Sequence, residues 1–187
     1  MSIRDQLQTD LKTAMLSKQE LRRDVIRYTQ AALKNAELAK QQKLVKERSR
    51  LWQTGKVDES GNPIVDELER EKQLAEIAGL APLTDEEQVA VLTTEVKRRR
   101  ETIADAEKAG RPDLIAREQA ELEVVLGYLP KQMSRAEVTA AAQQVIVEVG
   151  AKGPQDTGKV MGKLMPQLKG KADGKMIGEV VKELLAN

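Results

Sequence analysis

Leu129-Pro130-Lys131-Gln132-Met133-Ser134-Arg135-Ala136-Glu137 is where the chain divides. A residue before proline disfavours the helical region, so an element arriving at Leu129 has to end there. Ser134 with Glu137 three residues on forms a capping-box pair that opens a new helix. The boundary is therefore placed at 130–133, and residues 134–187 read as a compact module. Three short helices are expected in it. The first covers 134–149, stopped by Gly150; the second covers about 155–167, stopped near Gly170; the third covers about 173–186, capped by Asp173. Each carries an apolar stripe: Val138, Val145 and Val149; Val160, Leu164 and Leu168; Met176, Ile177, Val180, Val181, Leu184 and Leu185.

Upstream, residues 1–130 read as an N-terminal helical domain. Ser2 with Asp5 is another capping box, and Ile3, Leu7, Leu11 and Met15 recur every fourth residue. After Ser17-Lys18 a second period runs through Leu21, Val25, Ile26, Leu33 and Leu38, with room to extend to Trp52. The composition of Thr54–Pro63 predicts a loop, and Val65–Ala78 an acidic helix ending at Gly79; 41–82 together read as an insertion-like arm. Thr84, followed by Asp85, Glu86 and Glu87, caps a helix with Val89, Leu92, Val96 and Ile103 on one face. Gly110 stops it. Pro112 at a first helical position then starts an antiparallel partner through Leu114, Ile115, Leu122, Val125, Leu126 and Leu129. The expected fold class is all-α, with a helical hairpin or bundle followed by a small three-helix module.

Composition supports this and removes much chemistry. Of 187 residues 40% are hydrophobic, mostly aliphatic, and only Tyr28, Trp52 and Tyr128 are aromatic. That usage favours packed helices over sheets. There is no Cys and no His, so thiolate chemistry and the commonest general base and metal ligand are missing; neither a metal nor a cofactor is expected. No apolar run reaches 18 residues, so no membrane span is expected, and a cytoplasmic location follows by elimination. The net charge of +1 conceals an uneven spread. Residues 1–56 hold 13 basic and 6 acidic groups, 57–83 hold 2 and 7, 84–130 hold 7 and 11, and 131–187 hold 9 and 6. Basic faces able to meet a polyanion fit within that total.

Gly153-Pro-Gln-Asp-Thr-Gly-Lys159 imitates a phosphate-binding loop but has Val160 where a magnesium-holding hydroxyl belongs, and it has no parallel sheet to serve. Its glycines read as punctuation between helices. More informative are Lys159, Lys163, Lys169, Lys171 and Lys175, which fall within seventeen positions around the Gly170 turn, offset only by Asp156 and Asp173. Lys159 and Lys163 share a helical face, and Lys169-Gly170-Lys171 would let backbone approach a phosphate. Lys97-Arg-Arg-Arg100 reads equally as nucleic-acid contact or as helix-surface ion pairs, with Glu95 and Glu101 beside it. Arg22, Arg23 and Arg27 pose the same choice beside Glu20 and Asp24. No carboxylate pair or serine nucleophile stands out.

Thr157-Gly-Lys-Val-Met-Gly-Lys-Leu-Met-Pro-Gln-Leu-Lys-Gly-Lys-Ala-Asp-Gly-Lys-Met-Ile-Gly-Glu-Val-Val-Lys-Glu-Leu-Leu185, with Ala109-Gly-Arg-Pro-Asp-Leu-Ile-Ala116 and Tyr128-Leu-Pro-Lys-Gln132, resembles the YqeY family. The tail also resembles the end of GatB, the B subunit of the glutamine-dependent amidotransferase that makes Gln-tRNA or Asn-tRNA. The resemblance spans roughly 1–40 and 83–187, leaving 41–82 as a stretch longer than the usual pattern. It implies two helical domains, the second a tail that meets the outer corner of tRNA. Carried over, it makes Lys159, Lys163, Lys169, Lys171 and Lys175 candidate phosphate contacts, and Gly158, Gly162, Gly170 and Gly174 helix-packing or turn positions. It implies tRNA as partner, with amidotransferase subunits or another protein as further partners. Nothing in the chain matches the catalytic body of GatB or an ammonia-releasing amidase, so it is expected to be non-catalytic alone. The alternative is a helical protein-interaction adaptor without RNA contact.

Overall fold

The computed structural model describes residues 2–186. The fold is all-α apart from one small hairpin. Helices α1 (Ile3–Leu16) and α2 (Glu20–Arg48) lead to a 3-10 turn at Ser49–Trp52, strands β1 (Gln53–Val57) and β2 (Pro63–Val65), and α3 (Glu67–Leu80). Then come α4 (Asp85–Lys108), α5 (Pro112–Leu126), α6 (Arg135–Val149), a 3-10 turn at Pro154–Asp156, α7 (Thr157–Leu168) and α8 (Gly174–Ala186).

The helix starts obey the local chemistry. Ser2, Thr84 and Ser134 each form a complete capping box, with Asp5, Glu87 and Glu137 returning the bond. These are reciprocal bonds to amides that a helix leaves unpaired. Lys18, with φ of 54°, makes the bend between α1 and α2. In α1 the every-fourth-residue stripe drifts, because four residues turn the helix about 40° beyond one full turn. Ile3 and Leu7 are buried, but Met15 has rotated out to 52% exposure and Ala14 takes its place inside.

Two apolar clusters form, with no residue common to both. Helices α1, α2, α4 and α5 enclose Leu7, Val25, Ile26, Leu33, Leu92, Val96, Val125 and Tyr128. Helices α6, α7 and α8 enclose Val138, Ala142, Val145, Val160, Leu164, Ile177, Val180, Val181 and Leu185. Beyond the first cluster, α2 carries α3 and the 3-10 turn. There Trp52 and Ile77 are buried, and Arg48 reaches Gln73 at 3.0 Å and Glu76 at 2.8 Å.

The stretch predicted as loop at Thr54–Pro63 instead supplies much of an antiparallel hairpin, with Gln53 opposite Val65 and Val57 opposite Pro63. Asp58 accounts for the difference. Its Oδ1 accepts from the Ser60 and Asn62 amides, both at 2.8 Å, and so closes a tight turn. That leaves the β-branched residues on either side free to pair.

Candidate nucleic-acid interface

Helix α7 buries Val160, Leu164 and Leu168 at intervals of four. Lys159 and Lys163 therefore lie on its outer side, and both are exposed. Neither is idle. Lys159 Nζ donates to the Val149 carbonyl and Lys163 Nζ pairs with Glu148. Two cations are thus drawn to the end of α6, whose last carbonyls form the negative end of that helix dipole. They tie α7 to α6.

Lys169, Lys171 and Lys175 differ. They are exposed, and no hydrogen bond or ion pair is made by their side chains among the described residues. They ring the turn between α7 and α8. Lys169 is extended, Gly170 is left-handed with φ of 75°, and the Lys171 amide returns to the Leu168 carbonyl at 2.9 Å. Asp173 then starts α8. Its Oδ1 accepts from the Lys175 amide at 2.8 Å and, at a longer 3.4 Å, from the Met176 amide, while its Oδ2 takes Arg100 of α4 at 2.7 Å. Burial alone would raise the Asp173 carboxyl; the Lys175 amide and Arg100 overcome that and hold it below its ordinary value.

The glycines do not all serve as expected. A Cβ on Gly170 would lie 2.2 Å from Val89 Cγ1 on α4. The missing side chain therefore admits α4, where the sequence suggested an approaching phosphate. At Gly158 and Gly162, expected with the others as helix-packing or turn positions, an added Cβ would meet nothing within 4 Å. Both face outward because the buried stripe of α7 occupies its other side.

The Lys97–Arg100 block is spent in four directions. Lys97 is 3.8 Å from Glu101, and Arg98 pairs with Glu95. Arg99 is buried against α5, 2.9 Å from Glu118 and 2.6 Å from Glu121, with Glu95 at 3.5 Å; its Nε has no hydrogen-bond acceptor. Arg100 holds Asp173. Further back, Asp10 accepts from Arg22 at 2.6 Å and from the Tyr128 hydroxyl at 2.8 Å. The Tyr128 bond, with help from Arg22, depresses the Asp10 carboxyl; burial, then Asp10, pushes the Tyr128 phenol up to about 12. Arg23 pairs with its neighbour Asp24. The phosphate-loop imitation is a helix start: Val145–Val149 belongs to α6, and the Lys152 amide donates to Asp156.

The profile of the YqeY family, described as Yqey-like protein, matches residues 58–185, more than half of the chain. The chain belongs to the YqeY family. The YqeY match takes in residues 58–82, which the sequence alone sets apart as an arm, and does not extend over 1–40, where the sequence also suggests a resemblance. No curated protein matches the chain. In this YqeY-family chain no described helix is long and apolar enough to cross a membrane.

Proposed function

We propose that this YqeY-family chain is a tRNA-binding helical protein, non-catalytic alone and related through α6–α8 to the tail of the glutamine-dependent tRNA amidotransferase. One observation carries the reading: Lys169, Lys171 and Lys175 project unpaired from a single turn that Gly170 and Asp173 hold in place. Three exposed, unengaged cations around one turn suit a phosphate backbone. With only three aromatic residues, two of them buried, there is little platform for stacking unpaired bases, so contact would be by backbone and shape. Lys159 and Lys163 contribute less, since RNA would have to displace Val149 and Glu148. Filter binding over a range of salt concentrations tests this. Neutralising about three phosphates gives a log K against log salt slope of about −2 to −3, and a Lys169/Lys171/Lys175→Glu triple variant should lose most of the affinity. Equal affinity in the triple variant defeats the proposal.

A second reading, the protein-interaction adaptor, draws on the arm. Leu51, Val57, Ile64, Leu68, Leu74 and Leu80 are all exposed there, Leu68 at 81%. Such a concentration of apolar surface fits a protein partner. Under this reading nuclease-treated protein keeps its copurifying partner, and Leu68→Glu releases it.

A further inference from the structure

Three contacts join residues 1–129 and the 130–133 linker to the turn of the C-terminal module. Arg100 on α4 bonds Asp173, the Gln132 side chain donates to the Gly170 carbonyl at 2.8 Å, and the Met133 amide donates to the Lys171 carbonyl at 2.7 Å. The last two belong to the linker and would travel with the module. Gly170 against Val89 adds a point of van der Waals contact. The two apolar clusters share no residue, so no interior is torn when the halves part. A cleft of about 510 Å³ stays open between them, with Thr93, Lys97 and Arg100 on one wall and Ala172, Asp173 and Lys175 on the other.

We propose that the Arg100–Asp173 pair is a latch that sets the orientation of the C-terminal module on α4, and that the module, carrying Gln132 and Met133 with it, swings about 130–131 when the latch opens. The pair is the one ion pair between the halves among the described residues, and its side chains are 39% and 30% exposed. A pair this accessible to water biases a two-state equilibrium by no more than about fivefold. It holds the module without locking it. Asp173 divides its work: Oδ1 caps α8 and Oδ2 receives Arg100. Opening the latch from the Arg100 side therefore leaves the cap intact, which makes Arg100 the residue to vary.

The chain has no cysteine, so Glu107→Cys and Lys182→Cys can carry a pair of spin labels on α4 and α8, both positions exposed. In the full-length protein without RNA, pulsed dipolar spectroscopy should give one dominant distance with a minor longer component. Arg100→Glu, which replaces the attraction to Asp173 by repulsion, should enlarge the longer component about fivefold or more, and Arg100→Lys should restore the original distribution. Raising the salt to about 1 M, where charges are screened within roughly 3 Å, should act on the unvaried latch in the same direction as Arg100→Glu. An unchanged distribution in Arg100→Glu overturns the latch. If that variant loses helicity, the salt series decides, and a distribution indifferent to salt overturns it. No nucleic acid enters the experiment, so its outcome stands apart from that of the binding assay.

Discussion

Gly170 meets two demands that no other residue type satisfies together. Its φ of 75° lies in the left-handed region, and Val89 occupies the space a Cβ needs. Gly170→Ala should destabilise the protein by roughly 2–4 kcal/mol, combining backbone strain with overpacking. Denaturant unfolding would measure it, and adding Val89→Ala should return part of the loss, since only the packing component is relieved. Tyr128 gives a pH signature. Its folded-state value of about 12 lies above the ordinary 10.0, so the stabilisation is complete below pH 10 and is lost as pH rises through 12. Comparing unfolding of the parent with Tyr128→Phe across that window should show the parent losing the extra stability while the variant does not. A parallel decline in both would contradict the assignment.

At the scale of elements, the antiparallel pair α4 and α5 is riveted by Arg99. This residue is 5% exposed, and its guanidinium neutralises Glu118 and Glu121, with Glu95 alongside. Burial works against the Glu121 carboxylate, but Arg117 and Arg99 more than compensate and hold its value down. Arg99→Met should cost about 1–3 kcal/mol, because it leaves the half-buried Glu118 without its cation and Glu121 with Arg117 alone. In a denaturation series that deficit should shrink as pH falls, because the stranded groups can then take up protons. What sequence reveals at this scale is what neighbours dictate. The boxes at Ser2 and Ser134, the Thr84 cap and the Pro112 start are each decided within four residues, and all are found. The Asp58 turn is also local, but its Gly, Ser and Asn content hides the strands it joins. Arg99 is hidden for another reason. Its partners lie on a different helix, nineteen and twenty-two positions away: the stripe of Leu92, Val96 and Ile103 already turns Arg99 inward, but only the register of α4 on α5 shows which carboxylates it meets. The same limit applies to the lysines: spacing groups five, and the fold then engages Lys159 and Lys163 with α6 while leaving Lys169, Lys171 and Lys175 open to solvent.

For the whole molecule, separate apolar clusters imply separate cooperativity. We expect the C-terminal module to open without the helices of the first cluster. Leu164 is fully buried in the second cluster, and Leu164→Ala should cost about 2–5 kcal/mol there. Amide hydrogen exchange should record faster exchange in α6–α8 with protection in α4 and α5 unchanged; equal loss throughout would mean that the chain unfolds as one unit. The arm brings a different consequence. Trp52 is the only indole in the sequence and sits 7% exposed beneath α3. The chain therefore carries a built-in optical reporter confined to one of its two candidate binding regions. A ligand seated on the Lys169–Lys175 turn should leave the intrinsic emission unaltered, whereas a partner gripping the arm should shift its colour or intensity. A simple fluorescence titration of the unlabelled protein can thus tell which end of the molecule has been engaged.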